Sequence, residues 1–155
     1  MALDLANPTN VTALIVFLVE IVLITILIFA RINARRLKID THHKYVYSVV
    51  LVNTTIILTW MLPRELNIIN LILQGRINAI AVWYLLFHAL FGSVAITLGI
   101  FLCLVFLMKV LRKDLVPLTL LRKMKPIMIT TFIFWSLAFF FGCMVFVNRY
   151  IIKFL

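Results

Sequence analysis

The chain has 155 residues, 65% of them hydrophobic, with 15 basic against 5 acidic side chains, a formal net charge of +10 and a mean hydropathy of +1.18. That balance lies far outside the range of water-soluble domains. It excludes a soluble enzyme, and because the basic residues sit at the edges of apolar stretches it favours anionic lipid headgroups over nucleic acid as their partner.

Four apolar stretches, about 12–30, 46–62, 79–108 and 127–152, take up most of the sequence. Each is long enough to cross a bilayer. Backbone polar groups in lipid must be satisfied within their own segment, so each is expected to be a helix. A spanning strand needs only about 10 residues with strict alternation, a pattern the chain lacks. The expected fold is all-α, a single membrane domain over 1–155: an integral membrane four-helix bundle, up-down-up-down, with both termini outside.

Residues 1–11 carry Asp4 and no Lys or Arg. A cleavable signal peptide calls for a basic leading region, so the first stretch is expected to be retained. Within it stands Glu20, a carboxylate that in lipid must be paired, protonated or turned towards water. The first connection is basic, with Arg31, Arg35, Arg36, Lys38 and Lys44. Asp40 or Thr41 is a plausible N-cap for the second helix, which His42 and His43 open beside Lys44. Neighbouring residues on a helix point about 100° apart, so these two histidines are not expected to line one inward site. Headgroup contact is their simplest role.

The second stretch contains Asn53 and is expected to stop near Pro63. The connection that follows is apolar enough to form an interfacial segment at about 66–74, ended by Gly75. The third stretch exceeds the bilayer requirement and is expected to tilt or protrude. It carries His88 and the small residues Ala89, Gly92, Ser93, Ala95 and Gly99, whose spacing suits close helix packing in lipid. A second basic connection holds Lys109, Arg112, Lys113, Arg122, Lys123 and Lys125, with Pro117 breaking it and Pro126 in the first turn of the last helix. Eleven of the 15 basic residues thus fall on one side, which the positive-inside rule assigns to the cytoplasm of a cell-membrane protein. Trp60, Trp83, Tyr84 and Tyr150 near one boundary, and Tyr45 and Tyr47 near the other, suit an aromatic belt. Cys103 and Cys143 fall at different depths and are not expected to pair.

Counting about 1.5 Å per residue from the helix ends places Glu20, Asn53 and His88 at a common depth, roughly 12–13 Å below one surface. If the three face inward they form a polar cluster that glues the helices, relays a proton or binds a small polar group or metal. Thr54, Thr55 and Ser136 are candidate extra donors. His88, with His43 as the other candidate, is the residue available as a metal or haem ligand, although more than half the bilayer separates the two. No phosphate loop, zinc-protease motif or nucleophile elbow occurs.

His43-Lys44 opening the second helix, Trp83-Tyr84 followed by Phe87-His88 in the third, the run Arg122-Lys123 before Pro126, and Gly142 late in the fourth give the chain a likeness over about 12–152. It resembles a family of small four-helix integral-membrane proteins of unknown function, one branch of which is linked to maturation of haem–copper cytochrome oxidases. The resemblance implies a non-catalytic assembly factor or accessory subunit of a respiratory or other membrane-bound metalloenzyme, with other membrane subunits as partners. It brings haem or copper into view as cofactors, with neither favoured. Such proteins usually carry further histidines before the fourth helix and near the outer end of the second, and this chain has none between His43 and His88 or after His88. Two alternatives come from the residues themselves: a haem- or quinone-binding electron carrier using His88, and a small proton or solute transport component centred on Glu20.

Overall fold

A computed structural model of the chain describes residues 8–64, 70, 74, 79–111 and 118–148. Among them the protein is all-helical: α1 (Pro8–Arg35), α2 (Ile39–Ile56, carried on by a π-helical turn over Ile57–Met61), α3 (Ala79–Leu111) and α4 (Leu118–Phe146). Four helices are long and apolar enough to cross a membrane, over Asn10–Arg35, Asp40–Arg64, Val82–Leu111 and Met124–Phe146. Most of their large apolar side chains point away from the bundle, Leu51 being 70% exposed and Leu90 56%. That inverted pattern is what a lipid solvent permits, since lipid tails are as apolar as the residues that meet them.

The first connection is a three-residue turn. Leu37 takes a left-handed φ of 59°, and the amides of Lys38 and Leu37 donate to the carbonyls of Asn33 (3.0 Å) and Ala34 (3.2 Å). This is a Schellman ending, normally built on glycine because a Cβ is strained at that φ. Lys38, and neither Asp40 nor Thr41, occupies the N-cap of α2, with no side-chain cap. The helix begins earlier than expected because the turn is so short, which leaves Asp40 in the first turn, where its charge complements the helix dipole.

Two observations concern proline: the second helix is described as far as Arg64, next to the expected stop near Pro63, while the last helix departs from expectation. Helical structure runs through Pro63 to Arg64, because the π-turn just before it lets the chain pass a residue that has no N–H to give and whose ring would crowd the carbonyl four residues back. The Leu62 amide reaches the Ile57 carbonyl in that turn. Likewise Pro126 lies inside α4, which starts at Leu118. The expected boundaries at Gly75 and Pro117 lie outside the described residues. So does the 66–74 segment, apart from Asn70 and Gln74, whose backbones share one hydrogen bond of 3.2 Å.

α1 packs along α2, and α3 along α4, while the two hairpins meet more sparsely through α1 with α4 and α2 with α3. A buried layer of Leu23, Leu27, Val49, Val50, Ala95 and Trp135 joins all four helices. A second layer of Leu102, Val105 and Met124 binds α3 to α4 towards the basic end. The small-residue stripe of α3 divides. Ala95 and Gly99 are buried and Gly92 half-buried, whereas Ala89 and Ser93 are exposed. An α-helix turns 3.6 residues per repeat, so the 92–95–99 series keeps to one face and 89 and 93 fall off it. At Gly99 an added Cβ would stand 3.2 Å from Val50 Cγ2 and 3.5 Å from Trp135 Cζ3, so the absence of a side chain is what lets α2 and the indole meet α3 there.

Candidate functional site

The loose seam between the hairpins encloses two cavities, one on each side of the Trp135 layer. The first, of about 160 Å³, is lined by Glu20 from α1, Asn53 from α2 and His88 from α3, together with Trp135, Ala138 and Gly142 from α4. The three polar residues that the sequence put at one depth thus face one space. The wide π-turn adds Ile57, Trp60 and Met61 to the wall, and Arg64 lines the same cavity with its guanidinium 5.7 Å from the centre of the Trp60 ring. π-turns inside helices occur preferentially where side chains are being aimed at a site. Phe17 stacks on Phe146, 4.3 Å between centroids, among the lining residues.

The hydrogen bonding differs from a simple Glu–His pair. His88 Nδ1 lies 2.8 Å from the Ala138 carbonyl oxygen. A carbonyl only accepts, so Nδ1 carries the proton and Nε2 of the neutral ring is left as an acceptor. Gly142 gives that ring its place: a Cβ there would sit 3.0 Å from both His88 Cε1 and Nδ1. Glu20 Oε1 and Asn53 Oδ1 are buried and have no hydrogen-bond partner. The expected helpers do not supply one. Thr54, Thr55 and Ser136 each donate to the carbonyl four residues back on their own helix, at 2.7, 3.0 and 2.9 Å. A short hydroxyl side chain in lipid finds its own helix backbone first. The unpaired buried groups on the cavity wall are therefore both acceptors, although Arg64 lines the same space.

The second cavity, of about 710 Å³, lies on the other side of the layer. His42 is buried, with Nδ1 2.9 Å from the Ala30 carbonyl of α1, and His43 lies against Phe106, 4.4 Å between ring centroids. Both histidines line this cavity, contrary to the expectation that neighbours on a helix cannot share an inward site. The space is wide enough to span the angle between them, since it reaches from α1 to α3. Arg31, Arg35, Lys109 and Lys125 line it as well, whereas Arg36 and Lys38 are exposed in the turn. Arg112 and Lys113, and the side chains of Arg122 and Lys123, lie outside the described residues.

His88 and His43 open into different cavities, so no single iron takes both. Among the described residues no three His, Cys, Asp or Glu side chains gather where they could hold a metal ion. The Glu20 cavity is also smaller than the roughly 300–1,000 Å³ of ordinary cofactor pockets. The residues around His88 do not fit haem or copper. Cys103 and Cys143 are both free thiols.

Some site residues were invisible to sequence reasoning. Arg64 read as a boundary charge, and only the π-turn brings it to the cavity. Trp135 was one aromatic among many, and its position between two cavities depends on Gly99 of another helix. His42 carried no signal separating it from His43, because its role is set by a carbonyl on α1. Compared with protein-family models, curated proteins and solved structures, the chain matches none.

Proposed function

We propose that the protein is a non-catalytic, multi-pass protein of the cell membrane that holds a small hydrogen-bond donor among Glu20, Asn53 and His88. The observation that carries this is the pair of buried acceptors, Glu20 Oε1 and Asn53 Oδ1, left without donors beside a cavity that His88 also lines. A buried acceptor with no partner costs about 1–3 kcal/mol, so a water, an ammonium or a hydroxyl compound entering the cavity recovers what the fold leaves unsatisfied. At about 30 Å³ per water, the 160 Å³ space suits a few waters or one small molecule. This is the chemistry of a proton or small-solute site centred on Glu20.

The charge distribution supports an up-down-up-down arrangement, with both termini outside and the 31–44 and 109–125 segments facing anionic headgroups in the cytoplasm. A role for the site within a larger complex, as assembly factor or accessory subunit of a respiratory or other membrane metalloenzyme, rests on the family resemblance. Gentle purification with identification of co-purifying chains tests it: membrane-enzyme subunits are expected, and a chain that purifies alone from its native membrane removes it. For the site itself, ¹⁵N NMR of histidine-labelled protein in nanodiscs is decisive. His88 is expected as the Nδ1-protonated tautomer, with an Nε2 resonance that moves in both Glu20→Gln and Asn53→Ala. A resonance indifferent to both substitutions removes the shared site.

A further inference from the structure

The second cavity is unrelated to the polar cluster. It is lined by Arg31 and Arg35 of α1, His43 of α2, Lys109 of α3 and Lys125 of α4, and no carboxylate joins them among the described residues. Four full positive charges from three helices around one space repel one another, and among the described residues the acid whose charge reaches this end of the seam is Asp40, which acts on His43. The walls below this rim are apolar: Leu27, Val46, Val50, Leu102 and Met128. At about 710 Å³ the cavity falls within the range that holds small organic ligands.

Two contacts organise the rim. The Arg31 guanidinium sits 4.8 Å from the centre of the Phe132 ring, which holds it across the seam from α1 to α4. His42 is fixed to the Ala30 carbonyl, which locks the first turns of α2 against α1. A site with a cationic mouth and a greasy interior, opening at the level where helices meet headgroups, is complementary to an anionic amphiphile. Basic pockets between transmembrane helices select anionic phospholipids by this chemistry.

We infer that the cavity binds one anionic phospholipid between the two hairpins, its phosphodiester among Arg31, Arg35, Lys109 and Lys125 and an acyl chain along the apolar wall. The lipid fills the seam where the hairpins pack least and neutralises the rim. Such a molecule is distinct from the lipid shell: it is held by a defined subset of the basic residues. Arg36, Lys38 and Lys44, at the same end of the bundle, do not line the cavity and contribute only to general headgroup attraction.

Native mass spectrometry of the detergent-purified chain, with phosphatidylglycerol, phosphatidylcholine or inorganic phosphate added, tests this. One phosphatidylglycerol is expected to stay bound under conditions that strip phosphatidylcholine. The triple variant R35Q/K109Q/K125Q is expected to lose about a hundredfold in that affinity, at roughly 1 kcal/mol per basic residue. R36Q/K38Q/K44Q, which removes the same charge from side chains that do not line the cavity, is expected to leave one phosphatidylglycerol bound under the same stripping conditions. Equal losses in the two triples would make the binding non-specific and overturn the inference. Inorganic phosphate displacing the lipid at similar concentration would place a free anion there instead. A Soret band abolished by His43→Ala would give the cavity to haem. Should the first triple fail to fold, Cys103 reports from the wall of the native cavity: in a Cys143→Ser chain, phosphatidylglycerol is expected to slow its alkylation and phosphatidylcholine is not. Equal rates with both lipids would overturn the inference as well.

Discussion

Single side chains in this protein are set by what a neighbouring helix leaves open. Gly142 makes room for the His88 imidazole, and a methyl group there would meet the ring at 3.0 Å. Gly142→Ala is expected to cost about 1–3 kcal/mol, the usual penalty for overpacking, and to break the His88–Ala138 hydrogen bond. Histidine ¹⁵N shifts in the variant check this, since loss of the fixed Nδ1–H tautomer is visible directly. Asn53 predicts the opposite sign. Its Oδ1 is buried without a donor, so Asn53→Leu, of similar size, is expected to raise stability in micelles by about 1 kcal/mol while removing the site's response to donors. Leu37 is a third case. Its left-handed φ of 59° in an exposed turn makes Leu37→Gly favourable by about 1 kcal/mol, measurable as a higher unfolding midpoint in detergent. Glu20, Asn53 and His88 were legible in the sequence because polar residues inside apolar helices stand out. Their missing donors were not, because those depend on hydroxyls turning back to their own helices.

Among the elements, the hairpins and the seam between them carry the functional geometry. Helix number and approximate length followed from apolar runs and charge, as lipid demands helical backbone. The start of the last helix did not follow, since it begins at Leu118, well before Pro126. Pro63 and Pro126 both sit within helical structure, one relieved by a π-turn that no periodicity announces. That turn also explains why Arg64 and Trp60 escaped notice as cavity residues. Trp135 is the element that separates the two cavities, 4% exposed and in van der Waals range of the Gly99 position. Trp135→Ala is expected to destabilise the bundle by about 3–5 kcal/mol and to merge the two spaces. Xenon or small aromatic compounds are then expected to stabilise the variant more than the native chain.

Among the described residues the molecule is two helical hairpins joined by one apolar layer, with the cavity of Glu20, Asn53 and His88 towards one end and a cation-lined cavity towards the other. The charge asymmetry of the sequence supports a definite orientation, and fusion reporters read it out. Alkaline phosphatase at the C-terminus is expected to be active and a green fluorescent protein at the same place dark, with the reverse for fusions in the 36–38 turn. The central claim is that Glu20, Asn53 and His88 act as one site. Infrared difference spectroscopy of the protein in nanodiscs, between acid and alkaline conditions, tests it most directly. One carboxyl band is expected to vanish in Glu20→Gln and to shift in both Asn53→Ala and His88→Ala. A Glu20 band that keeps its position in both variants would show three separate polar residues and contradict the account.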